Sequence, residues 1–204
     1  NPAATTVYTV TGTDANNCVN TATSTITVNA LPTVTVNSGT VCTGTPLGLN
    51  AGGASTYAWT PGTALSGTTG SSVTATPTAS IVYTVTGTDA NNCVNTATST
   101  VTVNPLPVVT VGGSTVCINN TINLSSGGGT TYSWSGPLAY ASAIQNPTIA
   151  NATAANAGIY TVTVTALGCT NTGTVSVSVL SPTTSASNTG AYCAGQTIPL
   201  NTPA

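Results

Sequence analysis

Residues 7–29 read VYTVTGTDANNCVNTATSTITVN and residues 82–104 read VYTVTGTDANNCVNTATSTVTVN, so a 23-residue segment recurs at an offset of 75 (82 − 7) with only Ile26 and Val101 differing. Self-similarity at a fixed period makes each copy one folding unit and the array the architecture. Cys42 and Cys117 also lie 75 apart, and a third, diverged copy runs from Ile159 through YTVTVTALGC to Cys169 and on to Cys193. Leu31-Pro32, Leu106-Pro107 and Ser181-Pro182 follow the copies. Proline favours an extended backbone and a stiff, short connection, which marks these pairs as domain joints. Cutting there leaves residues 31–105 and 106–180 as whole units. Residues 1–30 match only the end of a unit and residues 181–204 only its beginning. The chain therefore reads as a window on a longer array. In the rival reading the two part-units complete each other between chains, but together they lack the tryptophan segment of a repeat.

Composition narrows the function. There is no Lys, Arg or His, only two acidic residues, a net charge of −2 and 40% hydrophobic residues. Disordered chains combine low hydrophobicity with high charge, and this one has the reverse, so it is expected to fold. No apolar stretch approaches the about 18 residues of a membrane span, which argues against direct membrane insertion. Without cations there is nothing to neutralise phosphates, which excludes nucleic acid and electrostatic binding to anionic membranes. The surface must be a Thr, Ser and Asn coat with little long-range repulsion, and lateral association of arrays is expected.

Thr, Val, Ile and Tyr dominate, and Gly, Pro and Asn clusters punctuate the chain every 8–12 residues or so, an all-β pattern. Strands are expected near residues 33–36, 46–50, 56–60, 72–76, 82–88 and 97–103, and again near 108–111, 121–125, 131–135, 147–151, 159–165 and 174–179. Large apolar residues alternate along them: Tyr57 with Trp59, Tyr83 with Val85, Tyr132 with Trp134, Tyr160 with Val162. Alternation places each pair on one sheet face, so Tyr57, Trp59, Tyr83, Tyr132, Trp134 and Tyr160 are the expected core. A Trp on the third strand, a Tyr opening the sixth and the run Asn156-Ala157-Gly158-Ile159-Tyr160 resemble the immunoglobulin-like sandwich and its tyrosine corner. The series VCTGTPLGL, YAWTP, VYTVTGTDANNC and TVTVNPLP resembles the immunoglobulin-like and PKD-like repeats of very large secreted adhesins of Bacteroidetes-type bacteria, although the Asp- and Gly-rich PKD signature after the Trp is missing. That resemblance implies tandem immunoglobulin-like β-sandwich domains, head-to-tail, displayed at the bacterial cell surface or outside the cell.

Six cysteines, Cys18, Cys42, Cys93, Cys117, Cys169 and Cys193, fall two to a repeat and point to an oxidising compartment. With no His and no CxxC, zinc spacing is absent, and no metal or other cofactor is expected. Two pairings suit the repeat. Bonds inside each unit would join Cys42 with Cys93 and Cys117 with Cys169, closing loops of about 50 residues worth about 4 kcal/mol in the loop-entropy model. In an immunoglobulin-like sandwich, however, the turn carrying Cys42 and the hairpin carrying Cys93 lie at opposite ends of the domain. A strand spans about 17–20 Å, whereas a disulfide needs Cα atoms within about 7 Å. The favoured pair is then Cys42 with Cys169 across the joint, with Cys18 and Cys93 reaching upstream and Cys117 and Cys193 downstream.

No catalytic residue is expected. General acid–base work needs a group that titrates near neutrality, and Asp14 and Asp89, the only side-chain carboxylates, occupy equivalent places in separate repeats. The TDANNC loop offers one carboxylate, too few for a tight calcium site, and reads as a hairpin turn. Asn119, Asn123 and Asn151 fit the N-x-Ser/Thr pattern. Tyr140 and Tyr192, outside the clear strands, are the aromatics left for stacking on a sugar. The expectation is a structural extracellular stalk or filament supporting surface adhesion, its partners being copies of itself or further repeats. The alternative is an adhesin module binding surface glycans or a protein directly.

Overall fold

In the computed structural model, which describes residues 2–181, the chain divides into two compact units, Asn1–Pro105 and Leu106–Ala204. Unit 1 opens with a hairpin of β1 (Thr6–Thr13) and β2 (Val19–Ile26). Seven strands follow: β3 (Thr35–Val36), β4 (Gly39–Cys42), β5 (Leu47–Gly52), β6 (Thr56–Thr60), β7 (Ser72–Ala75), β8 (Ile81–Thr88) and β9 (Val94–Asn104). They form two sheets, β3-β5-β7 and β4-β9-β8-β6. Every pairing is antiparallel except β4 with β9, which run parallel from Gly39↔Val101 to Cys42↔Asn104. The period-2 pattern does the sorting. Trp59, Tyr83, Val85 and Val101 from one sheet meet Leu49, Val73 and Ala75 from the other, all buried, while Thr96, Thr98 and Thr100 on the opposite face of β9 are exposed. Each fully buried large side chain stabilises by roughly 1.5–3 kcal/mol.

The first strand is split between the sheets, a feature the strand expected at 33–36 did not include. The crossover is fixed at Asn37-Ser38. The Asn37 side chain donates to the Gly48 carbonyl (2.9 Å) and accepts from the Asn50 amide (2.7 Å), which ties it to β5. Its carbonyl accepts from Ser99 Oγ (2.7 Å), and Ser38 Oγ accepts from the Thr100 amide (3.0 Å), which ties the same turn to β9. One short turn thus satisfies polar groups of both sheets, and β4 follows in parallel register with the last strand.

Open sheet edges invite pairing with other chains, and proteins commonly blunt them with charge. This chain has no Lys to do so, and unit 1 covers one edge of each sheet, β6 and β7, with the loop between them. On one side the Trp59 amide donates to the Thr68 carbonyl (2.8 Å) and the Gly70 amide to the Tyr57 carbonyl (3.2 Å). On the other the Ser66 amide donates to the Thr74 carbonyl and the Thr76 amide to the Ala64 carbonyl, both at 2.8 Å.

Unit 2 repeats the plan in shorter pieces: β10 (Thr110–Gly112), β11 (Val116–Cys117), β12 (Ile122–Asn123), β13 (Ser125–Gly127), β14 (Thr131–Gly136), β15 (Tyr140–Ser142), β16 (Thr148–Ile149), β17 (Gly158–Ala166), β18 (Cys169–Val177) and β19 (Val179–Leu180). The main sheet is β15-β14-β17-β18, β10 pairs with β13, β12 with β16, and β11 runs parallel to β19. Here β15 covers the edge that the loop covers in unit 1. The core is Trp134, Tyr160, Val162, Val164 and Val177 against Ile122, Leu124 and Ala152.

Four of the six expected core aromatics are sealed: Trp59, Tyr83, Trp134 and Tyr160 are at most 1% exposed. Tyr57 and Tyr132 are a correction. Both share the inner face with the following Trp but are half-buried and pack on the core rather than within it. Their hydroxyls fasten the preceding turn, Tyr57 to the Ala54 amide and carbonyl (both 2.8 Å) and Tyr132 to the Gly129 carbonyl (2.8 Å).

Ser126 in β13 has a buried hydroxyl with no hydrogen-bond partner. Its counterpart in unit 1, at the repeat offset, is Ala51. Leaving a buried hydroxyl unpaired costs about 1–3 kcal/mol, so Ser126→Ala is expected to stabilise unit 2 by about 1 kcal/mol. Calorimetric unfolding checks this; a lowered melting temperature would show that the hydroxyl has a partner in solution.

Candidate functional site

Recurring Asn, Pro and Cys residues stand at the ends of the units. Where the chain enters unit 1, Pro32 is buried and its carbonyl accepts from Asn95 Nδ2 (2.9 Å); where it enters unit 2, Pro107 is buried and its carbonyl accepts from Asn171 Nδ2 (3.0 Å). The other face of each amide is used locally, Asn95 Oδ1 by the Thr96 amide and Asn171 Oδ1 by the Thr172 amide (both 2.9 Å). These asparagines escaped the sequence reading. The signal was present, because Asn20, Asn95 and Asn171 each stand two residues after a hairpin cysteine.

The exit end of unit 1 is held differently. The Asn104 carbonyl accepts from the Thr43 amide (3.0 Å) and from Thr43 Oγ1 (3.3 Å). Between the carbonyl of Asn104, fixed in unit 1, and that of Pro107, fixed in unit 2, stand Pro105 and Leu106 alone. The ring of each proline, Pro105 and Pro107, locks its φ at about −65°. The residues before each proline are confined to extended backbone, so few soft torsions remain. Asn171→Ala should release the Pro107 carbonyl at a cost of about 1 kcal/mol and speed amide exchange at Val108. Unchanged exchange there would mean that the clamp does not hold the joint.

The cysteines divide by the same geometry. Cys93 precedes β9 and Cys42 pairs with Asn104 at its far end. Eleven residue steps (104 − 93) at about 3.3 Å separate them by about 36 Å, beyond a disulfide's reach. In unit 2, Cys169 opens β18 while Cys117 pairs with Leu180 beyond its end. Cys42 and Cys169 are each disulfide-bonded, whereas Cys18, Cys93 and Cys117 are thiols. The alternative pairing inside units, Cys42 with Cys93 and Cys117 with Cys169, is therefore not made, for the physical reason that β9 and β18 hold the partners at opposite ends. Cys193, Pro182 and Tyr192 lie outside the described residues.

The hairpin loops carry turn chemistry. Asp89 Oδ1 accepts from the Asn91 amide (2.8 Å) and the Cys93 amide (2.9 Å), with Asn92 at φ 60°; Asp14 does the same for Asn16 (2.9 Å) and Cys18 (2.8 Å), with Asn17 at φ 63°. In each loop one carboxylate oxygen, Oδ1, is spent on its own backbone. The third copy replaces this loop by Leu167-Gly168, both with positive φ (51° and 79°), the two-residue geometry that matches strand twist. Among the described residues no three His, Cys, Asp or Glu side chains lie together, and no helix is long and apolar enough to cross a membrane.

Among the described residues the aromatics other than Tyr8, which is half-exposed on β1, are committed to the cores. Tyr160 donates to the Asn156 carbonyl four residues upstream (2.9 Å), as a tyrosine corner does. Tyr83 instead reaches the Thr63 carbonyl (2.9 Å) in the loop after β6. Tyr140 is half-buried and packs edge-on against Tyr160, with ring centroids 5.5 Å apart. Burial holds the Tyr83 phenol neutral to higher pH than an exposed one, and for Tyr160 burial is joined by the adjacent Tyr140. Because the unfolded chain ionises these phenols first, their contribution is intact below about pH 10 and is lost as pH rises beyond it. Stability should thus fall steeply in alkali; Tyr83→Phe with Tyr160→Phe should flatten that fall in a pH series of denaturant midpoints.

No protein-family model and no curated protein matches this chain. Solved structures do. The N-terminal eight Ig domains of Down Syndrome Cell Adhesion Molecule (DSCAM) superpose on 87% of this chain at TM-score 0.54 and 14% identity, the match spanning 28% of that chain. Drosophila OTK extracellular domains 3–5 cover 88% of this chain and 72% of their own at TM-score 0.47 and 12% identity. Identity this low speaks to fold alone, and it agrees with the two-sheet topology, the buried tryptophans and the corner at Tyr160: the chain is an all-β tandem of immunoglobulin-like β-sandwiches.

Proposed function

We propose that this chain is a structural spacer, part of an extracellular stalk or filament whose units are stapled by a disulfide between Cys42 and Cys169, and that it has no enzymatic activity. The observation that carries the reading is the placement of the fastened groups. Asn104 with Cys42 stands at the end by which the chain leaves unit 1, and Pro107 with Cys169 near the end by which it enters unit 2. Among the described residues those two cysteines are the disulfide-bonded ones, and the strand lengths keep Cys42 from Cys93 and Cys169 from Cys117.

The topology suits a load. Tension drawn through Pro32 and Asn104 pulls β4 and β9 in opposite directions along their parallel pairing, so the hydrogen bonds are sheared together rather than unzipped singly. Four residue pairs share that load in unit 1 and two in unit 2. Lack of Lys and Arg also removes every trypsin-type cleavage site. Resemblance to Bacteroidetes-type surface adhesins supports a place on the bacterial surface. Direct glycan binding has less behind it, because the Trp rings are sealed and Tyr140 is packed on Tyr160.

Single-molecule pulling tests the mechanical reading. With the disulfide reduced, unit 1 is expected to yield at higher force than unit 2; equal, low forces near those of unzipped hairpins would overturn the role. Electron microscopy of native material should show threads with a period of one unit or a small multiple.

A further inference from the structure

In unit 1 the outward face of the sheet β4-β9-β8-β6 is a grid of threonines. Strand register sets its rows. Thr98 pairs with Thr84 and Thr84 with Thr60; in the next row Thr96 pairs with Thr86 and Thr86 with Ala58. At the parallel edge Thr40 pairs with Thr102. Residues directly opposite each other share a face, and this one is turned away from Trp59, Tyr83 and Val85, its side chains exposed or half-buried. Unit 2 carries the same face on its main sheet, where Thr174 stands against Thr161 and Thr172 against Thr163, with Ser135 and Ser133 beyond them.

The outward face of a sandwich is ordinarily its freest part, and here it is held. In the diverged copy Thr84, Thr86 and Thr88 correspond to Thr161, Thr163 and Thr165, and Thr96 and Thr98 to Thr172 and Thr174, while Thr100 changes only to Ser176. The inward side of the same two strands keeps Tyr83, Val85 and Val101 as Tyr160, Val162 and Val177, yet changes Gly87 to Val164, Ala97 to Gly173 and Ser99 to Val175. Strand propensity alone would accept Val, Ile or Tyr at the outward places, and solubility alone would favour charge. Hydroxyls hold them in both units.

Resting on the array reading, we infer that this face docks on the same face of a second copy, so that arrays associate side by side through their threonine-covered sheets. Three features name the occupant. A hydroxyl both donates and accepts, so a threonine face is complementary to itself, as a lysine or carboxylate face is not. The chain has no Lys, Arg or His and its two aspartates lie in hairpin loops, so apposed faces meet no like charge. The face also recurs in each unit, and a second copy offers it again at the same period. Two sheets of like twist stack aligned within about 30° and about 10 Å apart. Area sets the strength: roughly a dozen outward positions, each about 4.8 by 6.7 Å, cover roughly 400 Å² in unit 1. A standard interface takes about 800 Å² per partner. One pair of faces is therefore a weak, reversible contact, and successive units strengthen it through avidity.

Sedimentation velocity of the full chain tests this, with free thiols capped by iodoacetamide so that no covalent multimers form. The sedimentation coefficient is expected to rise with concentration between about 10 µM and 1 mM. Thr98→Lys with Thr174→Lys places one cation on each face and should raise the association midpoint at least about tenfold. Thr74→Lys with Thr148→Lys puts the same charge at exposed positions on the other sheet of each sandwich and should leave the midpoint within about twofold. Thr98→Asp with Thr174→Asp should also fail to self-associate, yet should bind the lysine variant in an equal mixture, because like faces meet. A coefficient that stays constant, a control pair as damaging as the test pair, or a mixture that stays monomeric would each overturn the inference. So would a monomeric wild-type chain that pellets with insoluble cellulose unless Thr98 and Thr174 are replaced, which would assign the face to a polysaccharide. Peptide mapping of the same samples reads the staple separately: Cys42–Cys169 formed in a monomeric chain brings down the lateral contact alone, whereas its absence brings down the stapled-array reading.

Discussion

Replacing Trp59 or Trp134 by alanine is expected to unfold the unit that carries it and, with the disulfide reduced, to leave the other unit folded. Each ring is 1% exposed, and each indole donates to a loop carbonyl, Trp59 to Gly70 (2.9 Å) and Trp134 to Gln145 (3.3 Å). Truncation removes the largest core side chain, leaves a cavity where two sheets meet and orphans a buried acceptor. Such a change costs about 3–5 kcal/mol, against the roughly 4–11 kcal/mol that about 75 residues ordinarily hold. Each unit has a single tryptophan, so the ring left in place reports on the unmutated unit. In Trp59→Ala the fluorescence of Trp134 should keep its wild-type denaturant midpoint while circular dichroism shows an earlier partial loss of β-structure. If the Trp134 transition moved by the same amount, the units would not be independent and the modular reading would fail.

What was legible in the sequence, and what was not, follows from how each feature is encoded. The strand at 56–60, the alternation that buries Tyr83 and Val85, and the corner at Tyr160 are local patterns, and a period of two declares them without knowledge of neighbours. Strand β4 is different. Gly39-Thr40-Val41-Cys42 has no marked propensity and becomes a strand because Asn37 and Ser38 deliver it, in parallel register, to an edge of β9 that lies at the far end of the repeat. Strand β15 likewise exists through its pairing with β14 (Trp134↔Ser142). Tyr57 and Tyr132 obey the alternation yet stay half-exposed, since a period of two sets the face of a residue while its depth is set by what packs over it from elsewhere in the chain. The asparagine clamps on Pro32 and Pro107 were visible only as a recurrence. A short polar side chain beside a cysteine does not announce a carbonyl so distant along the chain.

Eliminating the proposed covalent link is expected to change the array more than any surface substitution. In the loop-entropy model, a bond between Cys42 and Cys169 closes 127 residues (169 − 42), and a loop of that order is worth about 5 kcal/mol. The effect has a signature that distinguishes a bond from two separate packing losses. On the proposed pairing Cys42→Ser and Cys169→Ser remove the same bond, so under oxidising conditions the double variant should be little less stable than either single one, whereas independent sites add. Reductant should bring the wild-type chain down to the level of the variants and leave them unmoved. Cys93→Ser and Cys117→Ser, which remove thiols, supply the control and should leave the midpoint of a monomeric sample within about 0.5 kcal/mol. An additive double variant would sink the staple, as would a control that costs as much as the test. In that event, stiffness at the joint would rest on the Thr43 and Asn171 hydrogen bonds and the two prolines alone, and its loss on Asn171→Ala would become the larger effect.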